Sequence, residues 1–192
     1  EMGHALVGHY LEHTDPVHKI SIISRGQALG VTVSLPKEDR FLQTRSYLLD
    51  QMAMTLGGRA AEELVFEEIT TGAANDLERV TETAKQMIMK FGMSERLGPR
   101  VLGRAGSMPF VGREVGASPD YSEEIASTID EEIHRIVEGA RERARTILTG
   151  HMEELHQISE LLIEHETIDR EEFERLLAGE APGSVFPPPP PP

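Results

Sequence analysis

The chain has 192 residues, 27% of them charged and 39% drawn from the AVILMFWYC set, enough for one large domain or two small ones with a proper core. Thirty-three Asp and Glu against nineteen Lys and Arg leave a net charge of -14, a field that repels nucleic acid and anionic lipid and argues against either as a partner. With no cysteine, disulfides and thiolate–metal sites are excluded, and no apolar run approaches the roughly 18–20 residues that cross a bilayer. The sequence opens inside a helical pattern with neither a signal peptide nor an initiator methionine, so a fragment with upstream segments is expected.

Residues 1–13 read as the end of a helix with Leu6, Val7, Tyr10 and Leu11 on its apolar side, broken by Asp15-Pro16. Two extended runs follow, 17–24 and 29–35, joined through Arg25-Gly26. Leu29, Val31, Val33 and Leu35 alternate with Gly30, Thr32 and Ser34, which predicts a half-buried strand and a hairpin. After a polar turn at 36–40, Leu48, Leu49, Met52, Leu56, Ala60 and Leu64 recur at helical spacing, predicting one helix over 41–66. Gly57-Gly58 in its middle costs about 1 kcal/mol per glycine relative to alanine, and reads as close packing against another backbone.

A loop at 70–76 enters a helix over 75–91, with Leu77, Val80, Ala84, Met87, Ile88 and Phe91 as its apolar positions and Gly92 as its stop. Glycines and prolines over 92–119 predict an irregular connector. Ile125, Ile129, Ile133, Ile136, Ala140, Ala144 and Ile147 form the stripe of a helix packed along its length, ended by Gly150. Two further helices carry Leu155, Ile158, Leu161 and Leu162, then Phe173, Leu176 and Leu177, the last opened by an Asp169-x-x-Glu172 capping box. The closing proline run is expected in solvent.

The chemistry begins at Glu1-Met2-Gly3-His4. Zinc metalloprotease helices read His-Glu-x-x-His: two histidines one turn apart hold the metal, and the glutamate takes a proton from the water it activates. Glu1 and His4 supply the base and one ligand on a common helix face, while nothing precedes Glu1. A catalytic zinc needs three protein ligands. Val7 and Tyr10 occupy the positions where a metzincin has Gly and His, which excludes that class. Glu62 or Glu63 fits a thermolysin-like third ligand. Asp76, where the loop enters a helix, is the other candidate, against the plainer role of stabilising its own helix N-terminus.

His9-Tyr10-Leu11-Glu12-His13 fits the inverted His-x-x-Glu-His pattern but faces away from His4, and a pair of solvated histidines accounts for it. His18, His134, His151, His156 and His165 form no ligand-like group. There is no Gly-x-Ser-x-Gly elbow and no phosphate-cradling glycine loop, so serine nucleophile chemistry and ATP binding by this chain lack support.

Taken together the pieces resemble the peptidase domain of FtsH, the membrane-bound AAA zinc metalloproteases. The matching stretches are Glu1–Gly8, Pro16–Ile20 with Arg25-Gly26, Gly57–Glu63, Thr71–Leu77, Phe91–Ser94, Tyr121–Glu124 with Ile129–Glu132, and Leu161–Ile168, which resembles the family's closing helices. Their order over residues 1–178 is what makes the likeness specific. It implies a mainly α fold: a zincin-like helical domain with a small β-hairpin or sheet, then a C-terminal helical subdomain. The expected organisation is a zinc-site part at 1–92, a connector at 93–119, a helical part at 120–178 and a disordered Pro-rich tail at 179–192.

The resemblance also implies Zn2+ held by His4, Asp76 and a histidine just before Glu1, with Glu1 as general base and Glu62 orienting a ligating histidine. Met2 replaces a small residue usual in the family and is expected to be tolerated, facing away from the metal. Polypeptide substrates would add as a strand beside Gly30, Val31 and Thr32. A homo-hexamer, an upstream ATPase module using ATP and Mg2+, and an upstream transmembrane anchor complete the implication. The domain would then lie on the cytoplasmic side of a bacterial inner or organellar membrane. With His4 and Asp76 as the two ligands in hand, weak zinc retention in isolation is expected. Two readings stand beside this one: a decayed hexamerisation or chaperone module of an AAA ATPase, and a thermolysin-like monomer with Glu62 or Glu63 as ligand.

Overall fold

A computed structural model describes residues 1–24, 30–35, 41–103 and 121–187. The Arg25-Gly26 joint, Leu29, the turn at 36–40, most of the predicted connector and the end of the proline run lie outside them. The described chain is mainly helical, with one small antiparallel sheet. It divides into two compact units, one formed by Glu1–Ala73 with Ala140–Pro192, the other by Ala74–Gly139.

The first unit is built on α1 (Met2–Tyr10), whose Met2, Gly3, Ala5, Leu6, Val7 and Gly8 are all buried. This short helix packs against α2 (Arg45–Thr55), α3 (Gly57–Phe66) and α6 (Met152–His165). Met2, at 4% exposure, is a core residue, so its tolerance rests on fit within the core. The helix ends at Leu11, earlier than Asp15-Pro16, where the backbone turns extended (φ -95°, ψ 139°). Thr14 Oγ1 then donates to the Gly8 carbonyl at 2.5 Å, satisfying one of the acceptors a helix end leaves open.

The predicted helix over 41–66 is two helices. Thr44 caps α2 by accepting from Tyr47 N at 3.2 Å, which leaves Phe41 and Leu42 outside, 95% and 86% exposed. Leu56 (φ -83°, ψ -2°) separates α2 from α3. The glycine pair also does what its composition suggests. A Cβ on Gly3 would lie 2.3 Å from Gly57 O, and one on Gly57 2.5 Å from Gly3 O. Backbone therefore meets backbone where α1 crosses α3, and the break aims α3 at that crossing.

The sheet has the order β2-β1-β3, from β1 (Val17–Ser21), β2 (Val31–Ser34) and β3 (Thr167–Asp169). β1 pairs antiparallel with both neighbours, Ile20 standing opposite Thr32 on one side and Ile168 on the other, with an irregularity between Val17 and Lys19. The β1–β2 pairing agrees with the expected hairpin; the burial of β2 does not. Val31 and Leu35 are 37% and 49% exposed, whereas Ile20 on the central strand β1 and Ile168 on β3 are fully buried.

β3 departs from the closing helices that Leu161–Ile168 resembles. Glu166 stops α6 in the left-handed region (φ 60°), its N–H capping Leu162 O, and Thr167-Ile168 then find their backbone partners on β1. The capping box opening α7 (Arg170–Leu177) is present, with Glu172 N donating to Asp169 Oδ1 at 2.9 Å and Asp169 N to Glu172 Oε2 at 2.8 Å. Part of the stretch expected as a disordered tail is ordered: α8 (Pro182–Val185) packs on α7, buries Val185 and sets Phe186 against His165, ring centroids 3.9 Å apart.

The second unit holds α4 (Ala74–Met89), with Val80, Ala84, Met87 and Ile88 buried, and the first part of α5 (Glu123–Gly150). Gly92 (φ 63°) ends the α4 segment as expected. The following residues are irregular yet packed, with Ser94, Leu97 and Leu102 buried. Along α5 the buried positions are Ile129, Glu132, Ile136, Ala140, Ala144 and Leu148. The stripe thus includes a carboxylate and Leu148, while Ile125, Ile133 and Ile147 are half-buried. Glu132 is tolerated there because Ser94 Oγ donates to it at 2.8 Å and Arg135 grips both its oxygens at 2.9 Å. Those partners, Arg135 first, hold its carboxyl below the ordinary glutamate range against the opposing effect of burial.

Candidate metal centre

Glu1 caps the N-terminus of α1 and His4 follows one turn later, so helical spacing alone places the two side chains on one face. His4 Nδ1 lies 3.0 Å from the Met54 carbonyl near the end of α2. A carbonyl only accepts, so Nδ1 is the donor in this contact. A ring held through one nitrogen by a backbone acceptor is how ligand imidazoles are commonly oriented. Gly58 makes room for it: a Cβ there would stand 2.4 Å from His4 Nε2 and 2.9 Å from Cε1. The second glycine of the pair is thus a clearance for the imidazole, while Gly57 serves the helix crossing.

Glu1 is held from the sheet. Thr32 Oγ1 donates to Glu1 Oε2 at 2.7 Å, and Gly30 borders the same carboxylate, since a Cβ there would lie 2.8 Å from Oε1. The structure therefore gathers Glu1, Gly30 and Thr32 around the first turn of α1, with His4 one turn on. Val31, between the two strand residues, points away and is partly exposed.

Glu62 accepts from Thr70 Oγ1 at 3.1 and 3.3 Å, and Thr70 Oγ1 in turn accepts from Gly72 N at 3.1 Å. Glu62 thereby ties α3 to the 3-10 turn Thr71–Ala73, while the acceptor on His4 Nδ1 is Met54. Glu63 is engaged by Arg59 Nε at 3.1 Å and Arg141 Nη2 at 2.9 Å. Two guanidinium partners make it a structural carboxylate and weigh against its use as a metal ligand. Asp76 lies half-buried in the first turn of α4, in the second unit.

The rival histidine motif is dismantled by the fold. His9 is on α1, but His13 lies past its end, where its ring and its backbone N–H both meet the buried Asp50 carboxylate, at 3.0 and 3.1 Å. His9 packs edge-on to Tyr10 and Phe173, and burial lowers its pKa. Among the described residues no three His, Cys, Asp or Glu side chains converge as a metal-holding group, and no helix is long and apolar enough to cross a membrane. The donor chemistry at His4 fits zinc all the same: an imidazole whose Nδ1 is anchored on a backbone carbonyl.

The signals behind these contacts were unequal. The i, i+3 spacing exposes Glu1 and His4, and the glycine pair announces a close approach. Met54 acts through its backbone carbonyl, which no residue type encodes, and the reach of Thr32 to Glu1 depends on how β2 crosses α1.

A histidine and a glutamate one turn apart at the start of one helix, beside a strand edge, match the Glu-x-x-His part of a zincin-type metallopeptidase helix. Comparison with known proteins makes that narrower: the chain belongs to Peptidase family M41, matched over residues 1–176. It is 65% identical over 97% of its length to ATP-dependent zinc metalloprotease FtsH 1 of Conexibacter woesei, and 53% identical over 92% to ATP-dependent zinc metalloprotease FtsH of Rubrobacter xylanophilus. The FtsH of Myxococcus xanthus is 48% identical over 98% of the chain. The chain spans 28%, 27% and 30% of those relatives respectively.

Proposed function

We propose that this chain is the hydrolytic domain of an ATP-dependent zinc metalloprotease, cutting peptide bonds in unfolded and membrane-derived proteins. The observation that carries this is the His4 imidazole, fixed by Met54 through Nδ1, one turn from the Glu1 carboxylate. The names of the relatives at 65% and 53% identity support the same reading.

His4 and Asp76 are two of the zinc ligands in this reading, with the histidine expected before Glu1 as the third. When bound, zinc lowers the pKa of a water and polarises the scissile carbonyl. Glu1 accepts the proton of the attacking water and passes it to the leaving amine, the two-way transfer a carboxylate with one oxygen free can perform. Glu62 steadies the loop that leads to Asp76, through Thr70. The outer edge of β2 at Gly30, Val31 and Thr32 offers main-chain groups to an extended substrate, a sequence-tolerant mode suited to many proteins. The ATPase that feeds the site, the hexamer and the membrane anchor on the cytoplasmic side belong to the longer protein in this reading, as the relatives' greater length allows.

The test is Glu1→Gln in the full-length natural protein with ATP and an unfolded polypeptide. Proteolysis is expected to vanish while zinc content stays; surviving proteolysis removes the general-base role. Asp76→Ala and Glu62→Ala assign the remaining ligand. Zinc is expected to be lost from the first and kept by the second, and the reverse pattern selects the thermolysin-like arrangement.

A further inference from the structure

We infer that Thr32 is a positioning residue for Glu1, so that the strand offered to substrate also aims the general base; this rests on the function proposed above. Thr32 Oγ1 lies 2.7 Å from Glu1 Oε2 and 3.1 Å from the Glu1 backbone carbonyl. A hydroxyl has one proton to give, and the shorter contact, to the side-chain oxygen, takes it. Threonine is stiff at χ1, so the direction of that hydroxyl is set by the backbone of β2. The strand backbone is set in turn by its pairing with β1, Thr32 opposite Ile20.

Gly30 adds the second half of the clamp. It stands two residues before Thr32, on the same face of the chain, and a Cβ there would lie 2.7 Å from Glu1 Cγ and 2.8 Å from Oε1. One residue holds Oε2 while the other leaves the space that Oε1 occupies. Glutamate has three rotatable side-chain bonds, and nothing in a helix N-terminus selects one direction for a carboxylate that must meet a particular water. The Gly30–Thr32 segment makes that selection. Because the same segment is the edge offered to substrate, displacement of β2 moves the base and the docking groove together. Side-chain removal at Thr32 leaves the main-chain groups of the edge in place, so catalysis and substrate affinity are separable here.

The experiment compares wild type, Thr32→Val, Thr32→Ser and Glu1→Gln in the full-length natural protein, using a fluorogenic peptide with ATP, zinc analysis and thermal melting. Thr32→Val keeps the shape and removes the hydroxyl. It is expected to lower kcat about 10- to 100-fold, in the range a misplaced catalytic group produces, with KM within about twofold and zinc content and melting temperature unchanged. Thr32→Ser is expected to restore most of kcat. A Thr32→Val enzyme with wild-type kcat, a rise in KM alone, or a serine variant as impaired as the valine one overturns the proposal. If the wild type fails to cut, or Glu1→Gln cuts, the functional reading is what fails. A crystal structure of Thr32→Val settles the positioning role independently of turnover: the Glu1 carboxylate is expected to leave its wild-type place, and an unmoved carboxylate overturns the inference.

Discussion

Replacing Gly58 by alanine separates the integrity of the fold from the integrity of the site. The added Cβ would stand 2.4 Å from His4 Nε2, 2.9 Å from Cε1 and 3.1 Å from Cδ2, all atoms of one side chain. Ordinary carbon contact begins near 3.5 Å, so the ring must retreat by about 1 Å. That retreat breaks the 3.0 Å bond from Nδ1 to the Met54 carbonyl, a loss of about 0.5–1.5 kcal/mol. Alanine in place of glycine within α3 returns up to about 1 kcal/mol of helix propensity. The two nearly cancel, and the melting temperature should move by no more than about 4 °C. Zinc affinity should not survive so well: loss of the acceptor that orients a ligand imidazole costs about 10- to 100-fold. Zinc titration against a competing chelator, alongside a thermal melt, reads both quantities. Unchanged zinc affinity would refute the assignment of His4 as a ligand held by Met54. A collapse of the melting temperature would show that His4 cannot swing, and that Gly58 serves the fold after all.

Gly3→Ala is the complementary case: its Cβ would meet the Gly57 carbonyl at 2.3 Å, which no rotamer relieves, so a loss of about 1–3 kcal/mol or more is expected in urea unfolding. Acid unfolding should carry a contribution from Glu132. Arg135 and Ser94 depress its folded pKa, so the unfolded chain takes up the proton first; the stabilisation is complete above about 4.5 and lost as pH falls through the lower folded value. Glu132→Gln should therefore be less stable than wild type at pH 7, with a shallower acid limb, as urea unfolding at pH 7 and pH 3 would read. Tyr10→Phe tests the alkaline side. The Tyr10 hydroxyl, raised to about 12 by burial and by donating to Glu154 at 2.6 Å, supports the fold below pH 10 and ceases to as pH rises through about 12. The variant should lose about 0.5–1 kcal/mol at pH 7 and show a flatter response to alkali in the same assay.

Local pattern reached the parts of the fold that local physics decides. The α7 capping box, the stop at Gly92 and the stripe of α5 each depend on residues within a turn or two of one another, and each is present. Elements set by distant partners were illegible. Thr167–Asp169 become a strand because β1 lies beside them, and the break at Leu56 comes just before Gly57 meets Gly3. Glu132 sits in a hydrophobic stripe because Ser94 and Arg135 come to it, which its spacing alone could not announce. The site divides the same way. Glu1 and His4 follow from helical periodicity, while Met54 and Thr32 are contacts between elements far apart in the chain.

The sheet that steadies Glu1 also imposes an order of events during synthesis. Ser21 and Thr167, hydroxyl to hydroxyl at 2.9 Å, are 146 residues apart, and β1 is flanked on that side by β3 alone. A ribosome delivers α1 and β2 early, yet the third strand and the helix that seats it emerge only after the second unit has been made. Closing so long a loop costs more entropy than forming the local hairpin, and it comes late in time as well as in free energy. Glu1 and Thr32 are therefore translated well before β3 and α6, the elements that complete the sheet and helix packing around them.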